Sequence, residues 1–375
     1  NSKFTTDNYD LCNNMFPGGT AEFGDSRVVG IQPSGDGGSN GGVKGKPGQV
    51  TVGGGSGATV SAGADDGGFG ILVTALSSET ERDGTELENG FESDLSGFVL
   101  GTDYQFSDSF IMGVLVGSTE DDLSVVGGGG GLETESSSQT VYATWTPIDN
   151  LSVDFYYGNV DSDIESVRNL NITSPSANLK GVITGSYDAE QTIQGASISY
   201  DWSSGAWSLG GFIGLDSVKT ETDGYTEEGQ RTNSPGPSEP PTTPQEGDPT
   251  GFELIYPDQE IESATRSIGL RASYSAQYGW GMLLPNIKII SVKENKNDAR
   301  TIPVIFASTA ASSIPGEIEP FFTGTDDPDR DYMTSGLGLV VALNNGVQIF
   351  LDYEQRSGHD FLETSSITLG ALIGF

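Results

Sequence analysis

The chain has 375 residues, with 17 Lys and Arg against 53 Asp and Glu and a formal net charge of −36. That charge argues against a nucleic-acid-binding protein, which needs a basic face for phosphates. No window holds about 20 mainly apolar residues, so a helical membrane protein is also excluded. One cysteine, Cys12, and one histidine, His359, leave no disulfide framework or cysteine-ligated zinc site and argue against histidine-based catalysis. We therefore expect no enzymatic role.

From residue 69 onward, apolar and polar residues alternate in stretches separated by turn residues. Alternation with a period of two is typical of strands that have one apolar face. It predicts twelve strands, at about 69–81, 94–107, 109–124, 137–148, 151–166, 189–204, 207–222, 261–277, 282–297, 331–343, 347–357 and 362–375.

The connections between these strands alternate between short turns and longer loops. This arrangement is typical of outer-membrane barrels, which have short periplasmic turns and long external loops. An even strand number places both ends of the barrel at the short-turn side. The fold class predicted is therefore all-β, a 12-stranded antiparallel transmembrane β-barrel over residues 68–375, after a Gly-rich segment at 1–67.

The alternation also assigns the two faces of the barrel wall. Apolar residues should face lipid, and polar residues should line the lumen. Among the polar residues, carboxylates outnumber cations, so an open pore would favour cations. The charged lumen-lining residues predicted are Asp103, Asp154, Asp201, Asp216, Arg271, Lys288, Asp352, Glu354 and Arg356.

All four tryptophans lie within a few residues of the short turns. Indole rings settle at the interface between membrane and water. We interpret Trp145, Trp202, Trp207 and Trp280 as a membrane-interface girdle on the periplasmic side, although core aromatics near hairpin ends would give the same pattern.

Several stretches resemble the autotransporter β-domain family. They are GFVLGTDYQFSDSF at 97–110, DARTIPVIF at 298–306, TDDPDRDYMTSGLGLVVAL at 325–343 and NGVQIFLDYE at 345–354. The chain ends in LGALIGF, which resembles the C-terminal signal read by the barrel-assembly machinery; its residues here are Leu369, Ala371, Ile373 and Phe375. The resemblance implies a bacterial outer-membrane barrel that anchors or translocates an N-terminal segment.

The segment at 1–67 has three possible roles. It could plug the lumen, thread through it, or dock a partner through residues 1–20, with Phe4, Tyr9 and Phe16 as the apolar contacts. Its glycine runs disfavour a helix. The function predicted is an autotransporter-type barrel that anchors or translocates this segment. The alternatives are a porin-like, cation-preferring diffusion channel and a structural subunit of a larger envelope assembly. Outer-membrane lipid and lipopolysaccharide are expected partners of the barrel surface.

One acidic run could bind a cation. Asp326, Asp327, Asp329 and Asp331 could offer oxygen ligands to Ca²⁺. The run lacks the glycine and the terminal glutamate of an EF-hand loop, so a strand cap or turn is the simpler interpretation. We expect no other cofactor.

Overall fold

The computed structural model describes residues 68–374 except 149, 175–176, 234–244, 311–319 and 328. Its elements in chain order are β1 (Phe69–Arg82), β2 (Phe91–Ser107), β3 (Phe110–Val125), β4 (Gly130–Ile148), β5 (Leu151–Ser174), β6 (Ala177–Ser204), β7 (Trp207–Thr222), β8 (Tyr225–Thr226), β9 (Glu228–Arg231), β10 (Leu254–Tyr256), β11 (Gln259–Tyr274), β12 (Ala276–Tyr278), β13 (Gly281–Glu294), β14 (Thr301–Phe306), α1 (Ala307–Ala310), β15 (Phe321–Gly324), β16 (Asp331–Leu343), β17 (Val347–Ser357) and β18 (Leu362–Gly374).

Twelve long strands close into one antiparallel ring. Following the ring from β1, the order is β2 to β7, then β11, β13, β16, β17 and β18. The first and last strands pair directly, from Gly70 opposite Gly374 to Arg82 opposite Leu362, and the β11–β13 pairing completes the circle. The predicted 12-stranded antiparallel barrel is confirmed. Among the described residues, no helix is long and apolar enough to cross a membrane.

The ring has two unlike ends. Tight connections join its strands at one side, the short-turn end, where β1 also begins and β18 ends. Two of these turns contain a glycine with positive φ, Gly205 at 63° and Gly346 at 87°, a conformation that side chains with a Cβ rarely adopt. The opposite side, the long-loop end, carries the remaining connections.

Two of the predicted long loops are strands instead. β4 begins at Gly130, while β5 and β6 continue to Ser174 and Ala177, pairing in register as a long hairpin. The predicted strands were too short at the long-loop end. There the residues alternate between polar or acidic ones and small or apolar ones, which lowers the hydrophobic signal that marks a strand.

Two of the three remaining long loops, 223–260 and 298–330, contain short strands that form a second sheet. β8, β10, β14 and β15 pair antiparallel, and we call them the loop sheet. Leu254, Tyr256, Ile302 and Val304 form its buried core, with the first and last of these at 0% and 1% exposure. In addition, β9 pairs with the upper part of β6 and covers an edge that β7 leaves open.

The wall of the ring has the predicted two faces. Ile71, Val73, Leu369 and Ile373 are exposed, whereas Leu72 and Leu372, next to them in sequence, are buried and face inward. Some inward-facing glycines make room for rings from the next strand. A Cβ on Gly113 would lie 2.5 Å from Cε1 of Tyr142, so only glycine lets this ring lie flat against the wall.

Candidate functional site: the lumen and its mouth

The lumen contains buried ion pairs between strands. Arg271 on β11 donates from its Nε to Asp201 on β6 at 2.9 Å and also pairs with it through Nη2. Lys288 on β13, at 2% exposure, pairs with Glu354 on β17. Such pairs are strongly destabilised when one partner is removed, because the other charge is left without compensation.

The other predicted lumen carboxylates mostly accept hydrogen bonds from neutral groups. The hydroxyl of Tyr142 donates to Asp103 at 3.0 Å, and that of Tyr156 donates to Asp216 at 2.8 Å. Asp154 accepts from Thr144 at 2.7 Å. These hydrogen bonds satisfy acidic groups in the lumen without using any of its cations.

The remaining predicted lumen residues lie near the long-loop half of β16 and β17. Asp352 is buried and lies opposite Gly338 in the β16–β17 register. The guanidinium of Arg356 lies 4.6 Å from the centre of the Tyr332 ring, within cation–π distance. All nine residues predicted to line the lumen thus lie at inward positions of the ring, among buried or half-buried residues.

Apolar side chains share the lumen with these charges. One cluster of buried inward-facing residues crosses most of the ring; it includes Leu72, Val99, Leu115, Tyr156, Leu284, Val340, Phe350 and Leu372. The alternation predicted a polar lining, and this part of the expectation was too simple. The inner face of the wall therefore combines carboxylates with closely packed apolar side chains.

The loop sheet is fixed to the inner face of the β5–β6 hairpin. Glu227, directly after β8, accepts from Nε of Arg168 on β5 at 3.1 Å and from the backbone N–H of Leu254 at 2.8 Å. The two charged side chains are 4% and 6% exposed. Burial raises the pKa of Glu227 above its ordinary value, and the hydrogen bonds from Arg168 oppose that rise.

Stacked tyrosines add an apolar contact at the same place. Tyr225 lies between Tyr187 and Tyr256, with ring centres 4.2 Å and 4.8 Å away and nearly parallel planes. Tyr187 belongs to the inner face of β6, whereas Tyr225 and Tyr256 belong to the loop sheet. We call this contact, with Arg168 and Glu227, the first anchor.

A second anchor lies on β1. Arg82 faces inward at the top of this strand and pairs with Glu88 in the next loop and with Asp326, at 2.7 Å, just beyond β15. Thr85 also donates to Asp326, at 2.5 Å. Burial by itself raises the pKa of Asp326, but the hydrogen bonds from Thr85 and Arg82 outweigh it and hold this pKa below its ordinary value.

The two anchors lie on well-separated parts of the wall. β1 is four strands from β5 and five from β6 in a ring of twelve, and the loop sheet is continuous from Glu227 to Asp326 through its paired strands. Because both anchors use inward-facing side chains, the loop sheet lies across the mouth at the long-loop end.

Sequence reasoning did not identify these anchors. A signal was available, because Arg82 and Arg168 are the only cations between residues 69 and 174 and both fall on inward positions. Their acidic partners could not be found in this way, since Glu227 and Asp326 lie in loops whose path the alternation does not specify.

The carboxylates of the possible Ca²⁺ site have separate partners. Asp326 pairs with Arg82, Asp327 with Arg330, and Asp331 with Lys293. Asp329 accepts from the backbone N–H groups of Asp331 and Asp360, as expected for a residue that shapes a turn. Over the described part of the chain, no group of three or more His, Cys, Asp and Glu is placed to hold a metal ion.

The predicted girdle residues all lie on the outer surface near the short-turn end. Trp145, Trp202, Trp207 and Trp280 are about half exposed, and Trp280 stacks on Tyr278 at 5.3 Å. Of the assembly signal, Leu369 and Ile373 are exposed and Ala371 is half-buried on β18. Phe375 and the docking residues Phe4, Tyr9 and Phe16 lie outside the described residues, as does Cys12.

Comparisons with known proteins agree with this architecture. The family model "Autotransporter beta-domain" matches residues 71–236 and 245–354. The translocator domain of autotransporter NalP from Neisseria meningitidis is similar at 13% identity and a TM-score of 0.55, covering 82% of this chain and 88% of that one. The β-domain of the Bordetella autotransporter BrkA is similar at 14% identity and a TM-score of 0.54, covering 83% and 100%. No curated protein matches the sequence.

Proposed function

This chain belongs to the autotransporter β-domain family, and from that premise we propose that its outer-membrane translocator barrel anchors or translocates the segment at 1–67. In this proposal the segment enters the lumen from the periplasm, and the barrel has no catalytic role. The ends of the barrel lie on the periplasmic side, as expected for a barrel with short periplasmic turns.

The observation that carries the proposal is where the segment joins the ring. β1 starts with Phe69 at the short-turn end, so the segment at 1–67 is joined to the ring at this rim of the lumen. About ten extended residues at ~3.3 Å each cross a hydrocarbon layer of ~30 Å. The 67 residues are therefore long enough to enter the lumen and still reach the loop sheet.

The sole thiol provides the test. Intact cells, lysed cells and denatured protein would be treated with a maleimide too large to pass through the barrel. Labelling of Cys12 in intact cells supports translocation, and labelling only after denaturation supports a segment held in the lumen. Labelling of folded protein as soon as the cells are lysed, but not before, would place Cys12 in the periplasm and overturn the proposal.

A cation-preferring channel is a second candidate. The inward positions predicted from the sequence hold six carboxylates and three cations. Among the described residues, ion pairs join two of these carboxylates, Asp201 and Glu354, to cations of the ring. Single-channel recording of the purified barrel across a salt gradient tests this candidate. A steady conductance with a cation-selective reversal potential would support it, and a membrane without steady conductance would reject it.

The expected partners can be tested separately. We propose that the barrel-assembly machinery reads the end of β18 and that lipopolysaccharide surrounds the wall. Replacement of Phe375 by alanine should then lower the amount of folded barrel in the outer membrane. A structural role in an envelope assembly predicts a co-purifying protein that is lost when residues 1–20 are deleted.

A further inference from the structure

The outer surface of the ring divides into two zones. Starting from the short-turn end, each strand carries three to five outward positions that are almost all apolar. On β1 these include Ile71 and Val73, and on β18 they include Ile367 and Ile373. We call this zone the apolar belt.

On the long-loop side of the belt, the next outward position, two residues further along each strand, is polar. Ser77 on β1, Asn159 on β5 and Ser365 on β18 are the first polar residues after the belt, and acidic residues follow them. We use the name acidic collar for the outward faces of β18 and of β1 to β6 beyond this change. Arg82 and Arg168, the only cations of β1 to β5, both face inward, so these strands give the collar no cation.

Register makes the collar electrostatically unusual. Carboxylates of neighbouring strands lie directly opposite one another, as in the pairs Asp94 with Asp122, Glu120 with Glu135, Glu133 with Glu165 and Asp163 with Asp188. Like charges directly opposite across a sheet destabilise it, and in a low dielectric their repulsion would be far larger than in water. This arrangement is compatible only with a wall in contact with water.

We propose that hydrocarbon contacts the apolar belt alone and that the acidic collar stands clear of the bilayer core on the long-loop side. A belt of about seven residues per strand, at ~3.3 Å per residue and a tilt of ~40°, is roughly 18 Å high. That is less than the ~25 Å band of ordinary outer-membrane barrels. The barrel therefore requires a thin or locally thinned bilayer, and its β5–β6 hairpin projects far beyond it.

The test uses matched positions on one outward face. Spin labels would be placed on cysteines introduced in the full chain with Cys12→Ser, at Tyr157→Cys and Asp161→Cys on β5 and at Ile367→Cys and Glu363→Cys on β18. In lipid vesicles, labels at 157 and 367 should collide mainly with dissolved oxygen. Labels at 161 and 363, four residues away, should collide mainly with a water-soluble nickel chelate.

Protection of the labels at 161 and 363 from nickel, equal to that at 157 and 367, would overturn the proposal. Unsubstituted protein gives a second measurement that does not depend on the variants folding. Collar carboxylates should react with a water-soluble carbodiimide and glycinamide as fast in vesicles as in detergent, with the modified sites identified by mass spectrometry. Slower reaction of Asp163 and Glu363 in vesicles would show that the bilayer covers the collar.

Discussion

Replacement of Arg168 by alanine should release the loop sheet from the β5–β6 hairpin. The change removes the cation of the first anchor and leaves Glu227, whose side chain is 4% exposed, with a buried charge. Removing one partner of a buried ion pair costs about 3–5 kcal/mol. Local opening of the loop sheet should therefore become more frequent by roughly 10²- to 4 × 10³-fold.

Amide hydrogen exchange followed by mass spectrometry measures this opening directly. The backbone amides of β10 and β14 should exchange faster in the variant, whereas those of β17 and β18 in the ring should not change. The difference in exchange rate between the variant and the unsubstituted protein should become smaller as the pH falls. The reason is that the pKa of Glu227 is already raised by burial and rises further once Arg168 is absent. A protonated Glu227 no longer carries the uncompensated charge.

Two further variants make the result interpretable. Lys293→Ala removes an exposed pair, with Lys293 and Asp331 at 53% and 68% exposure, and should cost no more than about 1 kcal/mol. The double variant Arg168→Met with Glu227→Gln removes both charges of the anchor but keeps an acceptor for Leu254, so it should recover part of the protection. Exchange that is unchanged in Arg168→Ala, or faster in the double variant than in the single one, would refute the reasoning.

Three other predictions follow from the structure. Gly113→Val should destabilise the barrel by about 1–3 kcal/mol, because the new side chain displaces the Tyr142 ring. Urea unfolding measures this loss of stability. Gly279→Ala serves as the control, because its new methyl group would meet no neighbouring atom. The second anchor should weaken in acid: the pKa of Asp326 is lower in the folded protein, so its contribution is present above the ordinary aspartate pKa and is lost as the pH falls through the folded value. The rate of proteolysis in the loops, measured as a function of pH, detects this loss. The pH dependence should be absent in Asp326→Asn. Added salt should stabilise the acidic collar by screening its opposed carboxylates, so exchange at the top of β2 to β5 should slow between low and physiological ionic strength; an unchanged rate would contradict the repulsion.

The sequence by itself determined the ring of strands, because the alternation of apolar and polar residues is present within each strand. Alternation with a period of two specifies which residues face lipid, and it placed Asp201, Arg271 and Lys288 inward before their partners were known. Turn residues such as Asn345 and Gly346 marked the tight connections, and so identified the short-turn end of the barrel. These are local properties of the sequence. In a closed ring each strand pairs with its neighbours in antiparallel order, so little long-range information is needed to specify the fold.

Only the tertiary structure decided what lies across the mouth. The anchors join residues as distant in sequence as Arg82 and Asp326, and the loop sheet pairs strands of two to six residues that have no pattern of their own. The acidic collar was equally missing from the sequence predictions. Its position follows from register between strands, which sets carboxylate opposite carboxylate and which no single stretch of the chain specifies.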